Sequence, residues 1–188
     1  MKVVVLGDSL SAGYGLPVEA AFPAKLAQAL KAKGIAATIV NAGVSGDTAS
    51  GGLGRLDWSV PDGTDAVIVE LGANDALRGV DPKLTNKALD GILTKLKDRK
   101  IAVLLAGMQS PRNMGPDYVR DFDGIFPALA ATHGSVFYPF FLDGVATDSN
   151  LNQGDGMHPN AAGVDVIVAR IMPKVEELIA RVRTMRGS

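Results

Sequence analysis

The chain of 188 residues has no cysteine, which excludes a disulfide framework, thiolate chemistry and Cys-based zinc sites together. An excess of one charge is missing as well: 19 Lys and Arg stand against 20 Asp and Glu, a formal net charge of -1. That balance offers no electrostatic footprint for a phosphate backbone or an anionic lipid surface, so neither nucleic acid nor membrane is an expected partner. Long hydrophobic runs are absent. The apolar stretches at 3–6, 66–71 and 101–106 are far too short to cross a bilayer. The first follows Lys2 directly and leaves no room for an export signal, so the chain is expected to carry none itself; its compartment stays open, periplasmic or secreted if a signal was removed. Neither G-x-G-x-x-G nor G-x-x-x-x-G-K-[ST] occurs, which argues against a nucleotide- or flavin-binding module. Histidine is scarce, with two in the chain and no H-E-x-x-H pair. A metallohydrolase built on Asp8, Asp155 and His158 is therefore a poor candidate, and no metal or cofactor is expected.

Hydrophobic residues make up 47% and charged residues 21% of the chain, placing it with globular proteins and away from disordered ones. The length suits one domain, read as residues 1–185. The ending Arg186-Gly187-Ser188 resembles a cloning remnant and is left outside it.

Short apolar runs alternate with amphipathic stretches, the pattern of βαβ units around a mostly parallel sheet covered on both faces. Five strands are predicted at 2–6, 36–41, 65–71, 101–106 and 135–138. They are rich in Val, Ile, Leu and Ala without strict alternation, as strands buried on two sides should be. Helical spacing covers 20–33, 83–99, 117–132 and 160–183, with Leu89, Ile92, Leu93 and Leu96 as one example. Glycines soften 42–64, where a loop with a short helix around 48–57 is expected.

In such sheets chemistry gathers beyond the carboxyl ends of the strands. Gly7-Asp8-Ser9-Leu10 follows the first strand, Asn41-Ala42-Gly43 the second and Gly72-Ala73-Asn74-Asp75 the third; Asp155-Gly156-Met157-His158-Pro159 precedes the last helix. Ser9, leaving a strand on a tight turn, can hold its hydroxyl exposed. A serine needs a neutral imidazole to take its proton, and the imidazole needs a carboxylate to fix its tautomer. His158, three residues after Asp155, supplies both from one turn. His133, in Ala-Thr-His-Gly at a predicted helix end, reads as a capping or surface residue. Negative charge developing on a carbonyl oxygen calls for preset donors, and the backbone N–H groups of Ser9 and Gly43 and the amide of Asn74 are the candidates. Each segment alone has a plainer reading. Asp8 and Ser9 could cap a helix, and the others could be ordinary turns. Their order and their placement at strand ends favour the site.

At these residues the chain resembles the SGNH (GDSL) hydrolases, whose four blocks fall on Ser9, Gly43, Asn74 and His158. The stretch Gly7-Asp8-Ser9-Leu10-Ser11-Ala12-Gly13-Tyr14-Gly15 looks like the first block of the bacterial branch holding arylesterases and acyl-CoA thioesterase/lysophospholipases. The resemblance implies a flavodoxin-like three-layer α/β/α sandwich without cofactor, in which Ser9 forms an acyl-enzyme that water hydrolyses. It implies an oxyanion hole of Ser9, Gly43 and Asn74. The expected partner is a small-molecule ester, of short to medium acyl chain and including aryl esters. Thioesters, lysophospholipids and acetylated carbohydrates share the mechanism, and a non-catalytic ligand-binding module is the rival of another class. An apolar acyl pocket lined by loops is expected from Leu77, Met108, Pro111, Met114 and Tyr118, with Phe140, Phe141 and Leu142 near the Asp155 loop.

Overall fold

The computed structural model describes residues 1–187. Its sheet contains β1 (Lys2–Gly7), β2 (Thr38–Gly43), β3 (Ala66–Glu70), β4 (Ala102–Ala106) and β5 (Val136–Tyr138), all parallel, in the order β2-β1-β3-β4-β5. Val3, Val4, Val5 and Leu6 of β1 and Ala66 to Val69 of β3 have no solvent contact. Burying each larger side chain stabilises by about 1.5–3 kcal/mol, which is why these strands show no polar alternation.

The helices are α1 (Ser9–Ala12), α2 (Phe22–Ala32), α3 (Ala49–Gly54), α4 (Leu56–Ser59), α5 (Ala73–Leu77), α6 (Pro82–Asp98), α7 (Pro116–Asp123), α8 (Ile125–His133) and α9 (Ala161–Gly187). One layer holds α2 and α9; the other holds α3, α6 and α8. The architecture is the predicted three-layer α/β sandwich. In α6, the Asp81 carboxylate accepts the Lys83 N–H at 2.9 Å, Pro82 opens the first turn, and Leu89, Ile92, Leu93 and Leu96 form the buried stripe.

Three predicted boundaries change. β2 runs through Asn41-Ala42-Gly43, so these residues end the strand rather than follow it. An edge strand paired on one side tolerates the polar residues that made the segment look like a loop. The stretch 117–132 is two helices broken at Gly124, because Pro127 has no N–H and would clash with the carbonyl of Asp123 were the helix continuous. α9 runs to Gly187, past the expected helix end at 183, and Arg186 pairs with Asp65. Ser188 lies outside the described residues.

The sheet's order reverses beside β1, which has β2 on one side and β3 on the other. The carboxyl ends of these three strands therefore open onto one crevice, the usual ligand position in this class of sheet.

Candidate active site

Asp8 caps the N-terminus of α1, its Oδ1 accepting the Leu10 N–H at 2.9 Å. The cap makes Ser9 the first helical residue, directly beyond the rigid end of β1. The Asp8 cap and an available Ser9 hydroxyl are thus compatible in one turn. A first-turn N–H has no partner inside its helix, and that of Ser9 makes no hydrogen bond among the described residues. Next to α1, residue 43 must be glycine: a Cβ there would stand 2.6 Å from the Ala12 nitrogen.

His158 comes from an irregular loop before α9. The Asp155 Oδ1 accepts the backbone N–H groups of Met157 at 2.9 Å and His158 at 3.0 Å, folding the loop around the carboxylate. Its Oδ2 lies 2.6 Å from His158 Nδ1, and His158 Nε2 lies 2.9 Å from Ser9 Oγ. The backbone donors of His158 and Met157, then the imidazole, hold the Asp155 carboxyl down at about 2. With that anion on Nδ1, the proton belongs there and Nε2 is left as an acceptor for the Ser9 hydroxyl. His133 is elsewhere. It ends α8 with its ring 9% exposed and paired to Asp90 of α6 at 2.7 Å.

The other two expected donors are held in internal bonds. Asn74 Nδ2, in the first turn of α5, donates to the Asp47 carbonyl at 2.9 Å and to Asp8 Oδ2 at 3.1 Å. The Gly43 N–H donates to Asn41 Oδ1 at 3.0 Å. Beneath them lies a feature the sequence reading missed. Asp8 and Glu70 are both fully buried, and the Asp8 N–H reaches Glu70 Oε2 at 3.4 Å while Glu70 Oε1 has no partner. Burial pushes the Asp8 carboxyl up to about 6 against the opposing donors of Leu10 and Asn74. Burial and the adjacent Asp8 raise Glu70 well above the usual carboxylate range. No local sequence signal marks this pair, because Glu70 ends a strand and meets Asp8 only across the sheet.

A largely apolar cavity of about 450 Å³ opens beside Ser9. Of the expected pocket residues, Leu77, Met108, Pro111, Phe140 and Leu142 line it together with Asn74 and His158. Met114, Tyr118 and Phe141 do not. Phe141 is fully buried edge-on against Phe22, and Tyr118 stacks on Phe122 and donates to the Val80 carbonyl at 2.9 Å. Met114 stands instead beside Gly79. Leu10, Ala76 and Met157 also line the cavity. Leu10 and Met157 could have been found as immediate neighbours of the reactive positions. A larger groove of about 650 Å³ between α2 and α9 contains none of Ser9, Asp155 and His158.

The doubly wound sheet and its Ser–His–Asp constellation belong to a class of hydrolases. Residues 5–166 match the GDSL-like Lipase/Acylhydrolase family, and the chain belongs to it; it is a carboxylic ester hydrolase of SGNH type. It is 41% identical over 159 residues to the arylesterase of Vibrio mimicus, covering 84% of this chain and 80% of that one. It is 36% identical over 178 residues to thioesterase 1/protease 1/lysophospholipase L1 of Escherichia coli, covering 94% and 84%. The crystal structure of AlinE4, an SGNH-hydrolase family esterase, superposes with a TM-score of 0.80 at 46% identity, covering 94% of this chain and 95% of that one.

Proposed function

We propose that the protein hydrolyses short- to medium-chain carboxylic esters, aryl esters among them, through an acyl-enzyme on Ser9, with His158 as general base and acid and Asp155 as its orienting carboxylate. The observation that carries this reading is the unbroken line from Asp155 Oδ2 through the imidazole to Ser9 Oγ, at 2.6 and 2.9 Å. Nε2 takes the hydroxyl proton as Oγ bonds to the carbonyl carbon. The same proton then passes to the leaving oxygen as its bond to that carbon breaks, and water repeats the cycle to release the acid.

The oxyanion is bound by the unpartnered Ser9 N–H, the Gly43 N–H and the Asn74 amide. An oxyanion is a stronger acceptor than the groups that hold the last two at rest. It takes the Asn74 hydrogen now directed at Asp8, the longer of that amide's two bonds, and displaces Asn41 from Gly43. The cavity supports a modest acyl group, since about 450 Å³ is toward the small end of ligand sites, which span about 300–1,000 Å³. Thioesters and lysophospholipids would use the same atoms, and the name of the E. coli relative makes them the next substrates to compare.

Labelling with a fluorophosphonate probe tests the nucleophile. Wild type is labelled and Ser9→Ala is not, with turnover reduced by about 10⁴-fold or more; labelling that persists in the variant removes Ser9 from its role. A series of p-nitrophenyl esters then peaks at short to medium chains, and a maximum at long acyl groups contradicts the substrate assignment.

A further inference from the structure

The ring of Tyr14 lies over the imidazole of His158, with centroids 4.6 Å apart and planes inclined by 38°. Tyr14 is 54% exposed, and an aromatic on a loop with that exposure ordinarily swings freely. Here its backbone is held. The Tyr14 N–H donates to the Ser9 carbonyl at 3.2 Å, and the Tyr14 carbonyl accepts from Gln153 Nε2 at 2.8 Å. The next residue, Gly15, has φ of 73°, and Gln153 Oε1 occupies the space a Cβ would need. Gln153 also grips the opposite side: Nε2 donates to the Pro159 carbonyl at 2.9 Å, and its own N–H donates to the His158 carbonyl at 2.7 Å. One glutamine thus clamps the turn carrying Tyr14 to the loop carrying His158. Around the imidazole stand Asp155 on Nδ1, Ser9 on Nε2, the Tyr14 ring on one face and the Asp8 carboxylate as a nearby charge.

We propose that Tyr14 is a positioning residue that keeps the His158 ring in line between Asp155 and Ser9 and stabilises, through its ring face, the imidazolium formed at each proton transfer, with Gln153 as the clamp. This rests on His158 being the base. The face of an aromatic ring is negative and attracts a cation more strongly than a neutral ring. His158 is neutral with substrate bound and cationic in the transition state, so the contact favours the transition state and acts on turnover rather than on substrate affinity. The phenol hydroxyl has no part in it.

The test compares Tyr14→Phe, which keeps the ring face, with Tyr14→Leu, which keeps apolar bulk without it, using p-nitrophenyl butyrate. Tyr14→Leu lowers kcat by roughly 2- to 30-fold with KM little changed, and Tyr14→Phe restores most of the loss. Mono-, di- and trifluorinated phenylalanine at position 14 hold size nearly constant while draining the ring face, and log kcat falls in step with fluorine number. Equal kcat for Leu and Phe, a flat fluorination series, or a change in KM alone overturns the proposal; the last makes Tyr14 a substrate contact. Fluorophosphonate labelling of Ser9→Ala separates the two levels. If that variant is inert while Tyr14→Leu matches wild type, the nucleophile assignment stands and only the role of Tyr14 falls.

Discussion

Ser9 stands two residues beyond a strand buried from Val3 onward, while His158 hangs from residues 143–160, which contain no regular element except a bridge between Asn152 and Pro159. The Ser9 side, the proposed nucleophile's, is fixed by the sheet, the Asp8 cap and two buried carboxyls. The base side is fixed by side chains reaching for backbone: Asn152 Nδ2 to the carbonyls of Val145 and Asp148 at 2.7 and 2.8 Å, and Asn160 Nδ2 to those of Asn150 and Asn152. Stability and reactivity are thereby distributed unequally. Changes at the loop's half-exposed Asp155 should reduce turnover while leaving the fold intact, changes at its buried Asn152 should cost stability, and changes beneath Ser9 should alter the fold's response to pH.

The sharpest probe is Asp155→Asn. An amide can donate to Nδ1 and favour the wrong tautomer, so kcat falls by about 10³–10⁴-fold, while the melting temperature of this half-exposed loop residue stays near wild type. A large loss of stability would show that the loop supports the fold. Asn74→Ala comes next, with kcat down by about 10²–10³-fold as for loss of one oxyanion donor. Because it also strips a donor from buried Asp8, its melting temperature falls too, unlike that of Asp155→Asn. A turnover near wild type would return Asn74 to a purely structural role.

Asn152→Ala sharpens the comparison from the other side. It removes two hydrogen bonds at a buried position, while the carbonyls of Val145 and Asp148 keep the backbone donors of Asp148 and Leu151, a loss of about 2 kcal/mol that lowers the melting temperature by about 4–8 °C. The smallest effect is expected from Glu70→Gln. Asp8 and Glu70 bind protons more tightly folded than unfolded. Their contribution to stability is complete below about pH 4 and is lost as pH rises through the folded values, about 6 for Asp8 and well above the ordinary range for Glu70. Removing the Glu70 carboxyl flattens that decline, so the variant's melting temperature falls less than that of wild type as pH rises from 5 to 8. Parallel melting curves across this range would dissolve the pair.

Much of this was legible in the sequence because it is local or periodic. Buried strands are visible as apolar runs, and the Asp155–His158 turn is written within four residues. β2 was displaced because an edge strand need not be apolar, and the break at Gly124 was missed although Pro127 announces it. Tyr118 and Phe141 were expected in the pocket because they are large and apolar, but which cavity an aromatic fills depends on helices far along the chain. The Gln153 clamp on Tyr14 joins residues 139 positions apart, and Asp8 meets Glu70 across 62; neither span leaves a periodic trace.

The bond from His158 to Ser9 closes a separation of 149 residues. On the proposed mechanism the hydroxyl therefore leaves the ribosome long before the imidazole that would activate it, and a nascent or half-unfolded chain would carry an inert alcohol. Appearance of esterase activity during refolding would then time this long-range closure rather than the growth of secondary structure, making the enzyme's own turnover a clock for its assembly.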